Sequence, residues 1–253
     1  MIPLKEPWEL TVMRTAGRKL ASVVAQVREH VAVDITTRDI DRLTEEAILA
    51  AGARPAFKGY KVGRAVFPAT ICISINEQVV HGIPGKRRVA NGDVLSLDFG
   101  LVYGGYYADS AFTVVVGEGA EEDHALVTAT RDALELGIEK ARVGGRVGDI
   151  GHAIEGHVRP RGFGVVTQMV GHGIGRKLHE PPSVPNYGKR GTGDLLKVGM
   201  VLAIEPMITR GGDDTKILGD QWTVVTSDNS RSAHFEHTVA ITPTGPEILT
   251  QLD

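Results

Sequence analysis

Apolar residues recur at three- and four-residue steps over residues 7–33, where Met13, Ala16, Leu20, Val23, Val24, Val27 and Val31 make one stripe of a helix. A second helix opens near Thr37: Thr36 or Thr37 can cap it, Asp39 suits its first turn, Ile40, Leu43 and Ile48 lie inside, and Gly52 stops it. The period then changes. Residues 70–76, Thr-Ile-Cys-Ile-Ser-Ile-Asn, alternate and are β-branched, which predicts a strand. Residues 94–101 predict another, and Gly104-Gly105 turns the chain back into 106–116 as a β-hairpin.

The second half repeats that order. Helices are predicted over 121–142 and 147–161, and strands over 163–170, 200–209, 222–226 and 235–242. Gly92-x-Val94-Leu95-x-x-Asp98 parallels Gly199-x-Val201-Leu202-x-x-Glu205, and the run after Asp109 resembles the run after Glu236. Two related halves, about 1–118 and 119–253, are therefore expected around a pseudo-twofold axis. Sharing one sheet core, they would form a single domain over 1–253.

Composition narrows the class. In 253 residues, 28 Lys+Arg against 31 Asp+Glu leave a formal charge of −3, too balanced for a protein that coats nucleic acid. Apolar types at 42% and charged types at 23% are those of an ordinary globular chain. One cysteine excludes an internal disulfide. No apolar signal segment or membrane-length run occurs, so a cytoplasmic protein without a membrane partner or a stable nucleic-acid partner is expected. Glycine is the outlier: 31 residues, about 12% against a typical ~7%, imply tight turns or backbone held close to a ligand.

The candidate chemistry is acidic. Asp98 and Asp109 face each other across the hairpin, and Glu205 and Glu236 lie in apolar strand patterns of the second half. Each alone could sit at a strand end or pair with Arg or Lys. Four at matched places are costly to bury, and divalent cations offset that cost by supplying positive charge and directional ligation. An imidazole is at hand in Gly171-His172-Gly173-Ile174-Gly175, where glycines clear the ring's surroundings and let the backbone bend. The competing reading of that run is a phosphate cradle, which should open a helix, whereas Pro181-Pro182 follows. Four carboxylates and one imidazole can hold two ions about 3.5–4 Å apart. Oxygen and nitrogen donors without thiolate suit Mn, Fe, Co or Zn. The lone Cys72 could instead be a nucleophile, but no partner base is visible in the pattern.

Taken together, Asp98 and Asp109, Gly171 to Gly175, Glu205-Pro206 and Glu236-His237-Thr238 resemble the metal site of the pita-bread metallopeptidase superfamily. Ile71-Cys72-Ile73-Ser74-Ile75-Asn76-Glu77, Val80-His81-Gly82-Ile83-Pro84 and Ser232-Ala233-His234-Phe235-Glu236-His237-Thr238 are similar, more narrowly, to type I methionine aminopeptidases. The resemblance covers about residues 7–249. It implies an α+β pita-bread fold, with pseudo-twofold halves and helices packed on a curved antiparallel sheet. It implies Asp98, Asp109, His172, Glu205 and Glu236 as ligands of two divalent ions, Asp109 and Glu236 being shared, and Glu205 also as proton shuttle. It places His81 near the leaving nitrogen and His179 on the scissile carbonyl. Tyr60, Phe67, Cys72 and Trp222 are expected in the side-chain pocket with His81 and His179. His234 and His237 flank a ligand and are expected to support it. The loop 57–67 is longer than the family's usual connection, and Leu178 stands where an aromatic is common.

The activity so implied is removal of the initiator methionine from new proteins. The partners would be N-terminal methionine of peptides and nascent chains, with transient ribosome contact by a monomer. Two alternatives are a proline-directed aminopeptidase or dipeptidase of the same fold, and a non-catalytic pita-bread binding protein. The first usually carries an extra N-terminal domain, and no such extension precedes the first helix here. The second should have lost ligands.

Overall fold

The computed structural model describes residues 2–252. Helix α1, Pro7–Arg28, starts with proline in its first turn and a reciprocal Glu6–Glu9 capping box; α2, Thr37–Ala50, is capped by the Thr36 side chain on Asp39 N–H. The second pair, α3 (Glu121–Lys140) and α4 (Val147–Val158), repeats the arrangement. The apolar stripe at 31–33 does not continue α1, because the chain leaves the helix at Glu29 and reaches a left-handed Asp34.

The repeat extends to fine detail. Thr36 bridges Arg88 just ahead of α2, and Arg146 bridges Leu195 just ahead of α4. Four residues beyond each bridge partner, Gly92 and Gly199 turn into the next strand with φ of 83° and 86°, a backbone that glycine adopts without strain.

Among the described residues one nine-stranded antiparallel sheet runs through both halves. Its path is Arg54–Pro55, Val94–Tyr103, Tyr106–Val115, Glu236–Thr242, Val201–Ile204, Gly171–Gly173 and Glu180–Val184, with Ile71–Ile75 on Val94–Tyr103 and Gly245–Ile248 on Glu236–Thr242. Alternation sorts its faces. Ile71, Ile73, Leu95, Leu97 and Phe99 pack under α1 and α2 with Leu20, Val23, Ile40 and Ile48. Leu202, Ile204, Val239 and Ile241 pack under α3 and α4 with Leu126, Leu134, Ile150 and Ile154. Phe235 touches both cores. The residues between these positions face the other way, into the concave side. This is the expected curved sheet with helices on it.

One expected strand is broken and another, 235–242, is preceded by a short strand of its own, and both breaks matter. Residues 200–209 form Val201–Ile204 in the large sheet and Met207–Thr209 in a small one, divided at Glu205-Pro206, where proline removes a ladder donor. The run 232–242 divides in the same way at Phe235, into Ser232–His234 and Glu236–Thr242. Of 163–170 only Gly164–Val165 is strand, pairing with Met207–Thr209 beside Ser232–His234. Residues 222–226 shorten to Val224–Thr226, which joins Gln78–Val80 in a third sheet.

Candidate metal centre

Cross-strand register assembles the acids. On the concave face Cys72 stands opposite Asp98, Asp98 opposite Ala111, and Ala111 opposite Glu236. Asp109, two residues before Ala111, shares its face. In the second half His172 stands opposite Ala203, and Ala203 opposite Thr238, two residues after Glu236. Ala111 and Ala203 thus keep the floor low between the donors of each half. Thr238 joins the halves: its hydroxyl donates to the Asp109 carbonyl at 2.8 Å and accepts the Asp109 N–H at 3.0 Å.

The expected donors and pocket residues line one cavity of about 270 Å³, including Asp98, Asp109, His172, Glu205 and Glu236. One oxygen each of Asp109 and Glu236 and a ring nitrogen of His172 lie within 4.8 Å of one another. Glu205 joins them from the strand break, with Oε1 3.6 Å from His172 Nε2 and Oε2 3.5 Å from His234 Nε2. His172 Nδ1 donates to the Gly173 carbonyl at 2.9 Å, which leaves Nε2 as a lone pair toward the acids.

Burial sets the charge state. Desolvation, reinforced by Glu205, pushes Asp98 up to about 7, and desolvation pushes Glu205 up to about 8. Burial and the neighbouring carboxylates hold Asp109 and Glu236 well above the usual range. Burial, with His179 nearby, lowers His172 to about 3, so its ring is neutral. The site is therefore a set of acids kept from ionising together and imidazoles kept unprotonated. Asp98 Oδ1, Asp109 Oδ1, Glu236 Oε1 and His234 Nε2 are buried without a hydrogen-bond partner. Orphaned hard oxygens beside a neutral imidazole fit divalent cations, which would ionise the acids and satisfy those atoms.

The glycines around His172 act differently from expectation. Gly171, Gly173 and Gly175 have no left-handed backbone. A Cβ at Gly171 would strike the Ala203 carbonyl, and at Gly173 the Pro181 carbonyl. They allow close packing of His172's strand within the sheet, and no helix follows, which removes the phosphate-cradle reading. His179 follows on an irregular turn at the cavity mouth. Its ring lies 4.4 Å from that of His172, and Tyr60 Oη is 2.7 Å from its Nδ1. Burial lowers its pKa, so the ring is held neutral beside the Tyr60 hydroxyl.

His81 sits on the opposite wall in a left-handed conformation, φ 60°, and burial with His234 and His179 nearby holds it down at about 4. It is held there by Gly82, whose carbonyl accepts the Ile73 N–H and where a Cβ would strike the Ile73 carbonyl. A strained non-glycine residue in a cleft marks a place where position matters. Phe67 and Trp222 meet edge-on at 5.3 Å and close the apolar end of the cavity with Cys72. Burial and Asp98 push the Cys72 thiol well up, so it stays protonated and is no nucleophile.

The geometry has a counterpart in known proteins. A family model described as metallopeptidase family M24 matches residues 11–243. The chain belongs to that family. It is 46% identical over 252 residues to methionine aminopeptidase 1 of Bacillus subtilis, with 100% of both chains covered. It superposes on the crystal structure of methionine aminopeptidase from Thermotoga maritima with a TM-score of 0.96, at 45% identity and 100% coverage of both. The prolidase from Pyrococcus furiosus, at 22% identity, shares the fold with a TM-score of 0.78; the match covers 99% of this chain and 66% of that one. The fold is the expected pita bread.

Against these family expectations the structure separates two residues that the sequence pattern treated alike. His234 is 2% exposed and faces Glu205, whereas His237 turns to the other face and meets Thr250 Oγ1 at 2.9 Å. Met207 and Met169 also line the cavity. Met207 was hidden because its strand switches sheets after Pro206. The 57–67 segment forms a small ribbon, Lys61–Val62 on Ala65–Val66, that brings Tyr60 and Val62 to the cavity mouth.

Proposed function

We propose that this chain is an aminopeptidase that hydrolyses the first peptide bond of polypeptides beginning with methionine, with both halves of 1–253 forming one catalytic unit. The observation that carries the reading is the convergence of five donors from five separated segments on one cavity, in a chain matched end to end by methionine aminopeptidases.

Asp98, Asp109, His172, Glu205 and Glu236 would hold two divalent ions of the Mn, Fe, Co or Zn kind. When bound, such ions supply Lewis acidity toward the scissile carbonyl, an activated water and an anchor for the free α-amine. Glu205, with His234 beside its second oxygen, would carry a proton from water to the leaving amine. His179 would donate a ring N–H to the carbonyl oxygen as negative charge develops there. His81 orients the leaving nitrogen. Phe67, Trp222, Cys72, Tyr60 and Met207 offer an apolar, polarisable wall to a linear thioether side chain.

The same reading takes the chain as a cytoplasmic monomer that meets nascent chains at the ribosome through its own surface. Among the described residues no helix is long and apolar enough to cross a membrane. The deciding assay compares Met-Ala-Ser with Ala-Pro-Ser and Leu-Ala-Ser across a metal series with a chelator control. Release of methionine, abolished by chelator, is expected. Preference for the Xaa-Pro peptide would turn the reading to the proline-directed alternative, and inactivity with every metal would turn it to a binding protein.

A further inference from the structure

The turn carrying His179 has little regular structure of its own, yet two residues from the start of the chain hold it. Lys5 is buried and its Nζ lies 2.6 Å from Glu180 Oε2, with both side chains under a tenth exposed. Glu180 Oε1 in turn accepts the Lys177 N–H at 3.1 Å, inside the turn. One helical turn after Lys5, Glu9 Oε1 reaches Arg176 Nη2 at 3.2 Å and accepts the Tyr106 hydroxyl at 2.5 Å. The Arg176 guanidinium lies over the Tyr106 ring, 4.7 Å from its centroid. The two pairs are reversed in sign, Lys5 with Glu180 and Glu9 with Arg176, so they grip the two ends of the turn in one register only.

The backbone is shaped for this grip. A Cβ at Gly175 would strike the Lys5 side chain and Glu180, and a Cβ at Gly199 would press on the Lys5 backbone, whose N–H donates to the Gly199 carbonyl at 2.7 Å. A buried ion pair is a poor source of net stability but a strong source of fixed geometry.

We infer that the Lys5–Glu9 segment is a strap that positions His179, with Lys5 and Glu180 as positioning residues for the reaction. The inference rests on the reading of His179 as a substrate contact. Displacing that ring by a fraction of an ångström weakens a hydrogen bond needed in the transition state and leaves metal ligation intact.

The test uses the full chain, metal-loaded, well below its melting temperature. Lys5→Met/Glu180→Met removes both buried charges and so avoids the unpaired charge that either single change leaves. It is expected to melt near wild type and bind Mn with a Kd within about 3-fold, while kcat on Met-Ala-Ser falls about 10-fold or more. Lys5→Arg, which retains the pair, should keep most of the rate. In a His179→Ala background the double change should cost less than about 2-fold more, because the strap acts through that ring. Wild-type kcat in the double variant, or full additivity with His179→Ala, would overturn the inference. If the wild-type chain releases no methionine, the functional reading fails separately. The strap is then judged by the His179 ring signals in proton–carbon NMR, expected to move in the double variant and to stay put in Lys5→Arg; unmoved signals in the double variant would overturn it.

Discussion

The two halves deliver their donors by different means. In the first, Asp98 and Asp109 sit on a continuous hairpin of two ten-residue strands whose register is unbroken from Val94↔Val115 to Tyr103↔Tyr106. In the second, Glu205 and Glu236 stand where strands leave one sheet for another, at Pro206 and at Phe235. The contrast teaches that a repeated fold need not repeat a role. The hairpin is a rigid plate for two carboxylates. The broken strands expose a third carboxylate, Glu205, to two histidines and continue into one small sheet that brings Met207 to the cavity and His234 against Glu205.

The comparison is broken most severely by removing one of the two carboxylates that lie beside His172. Asp109→Ala or Glu236→Ala is expected to abolish binding of at least one Mn equivalent in calorimetry and to cut turnover at least about 1,000-fold. Turnover above a tenth of wild type would remove these residues from the ligand set. Filling the floor should come next. Ala111→Leu places a large side chain between Asp98 and Glu236 and is expected to weaken metal binding about 100-fold, with secondary structure retained by circular dichroism. If metal affinity is unchanged, the small residue between the donors is not what keeps the site open.

His179→Ala tests the second half without touching the first. It should lower kcat about 100-fold and leave metal stoichiometry intact, as expected for loss of one donor to a developing oxyanion. Loss of metal instead would make His179 a ligand.

Acidity offers a milder probe. Asp98 and Glu205 are raised above their unfolded values to about 7 and about 8, so their contribution to stability is present below about pH 4 and is lost as pH rises through 7 and 8. The buried histidines act in the opposite sense below their ordinary value of about 6.5, so the comparison belongs above it: with chelator the protein should melt about 3 °C lower at pH 8.5 than at pH 7. Added Mn should shrink or reverse the difference, since ligation favours the ionised forms. A chelated protein more stable at pH 8.5 would contradict the desolvation argument. The smallest effect is expected from Cys72→Ser, a few-fold rise in KM on Met peptides with metal affinity unchanged, from a less polarisable pocket wall.

Much of the site was legible because its signals are local. Asp98 within Val94-Leu95-Ser96-Leu97 and Glu205 within Leu202-Ala203-Ile204 announce buried acids by their neighbours alone, and Thr36 announces a helix start. The strand break was half-legible, since Pro206 cannot donate in a ladder. The glycines near His172 misled, because a glycine can serve a bend or a close approach, and the approaching carbonyls of Ala203 and Pro181 come from distant segments. His234 and His237 looked equivalent as neighbours of one ligand: the register against Tyr106–Val115 sends Glu236 to the concave face, and alternation then leaves His234 on that side and turns His237 to the other.

By itself, then, the amino-acid order determined which segments are helix or strand, which faces are apolar, and which side chains carry acid or imidazole chemistry. Those follow from periodicity and residue type, properties of short windows. Tertiary structure decided which donors meet, which histidine faces Glu205, and that Lys5 and Glu9 hold the turn of His179 across some 170 residues. Such contacts depend on sheet order and register, and these are chosen only when the whole core packs at once.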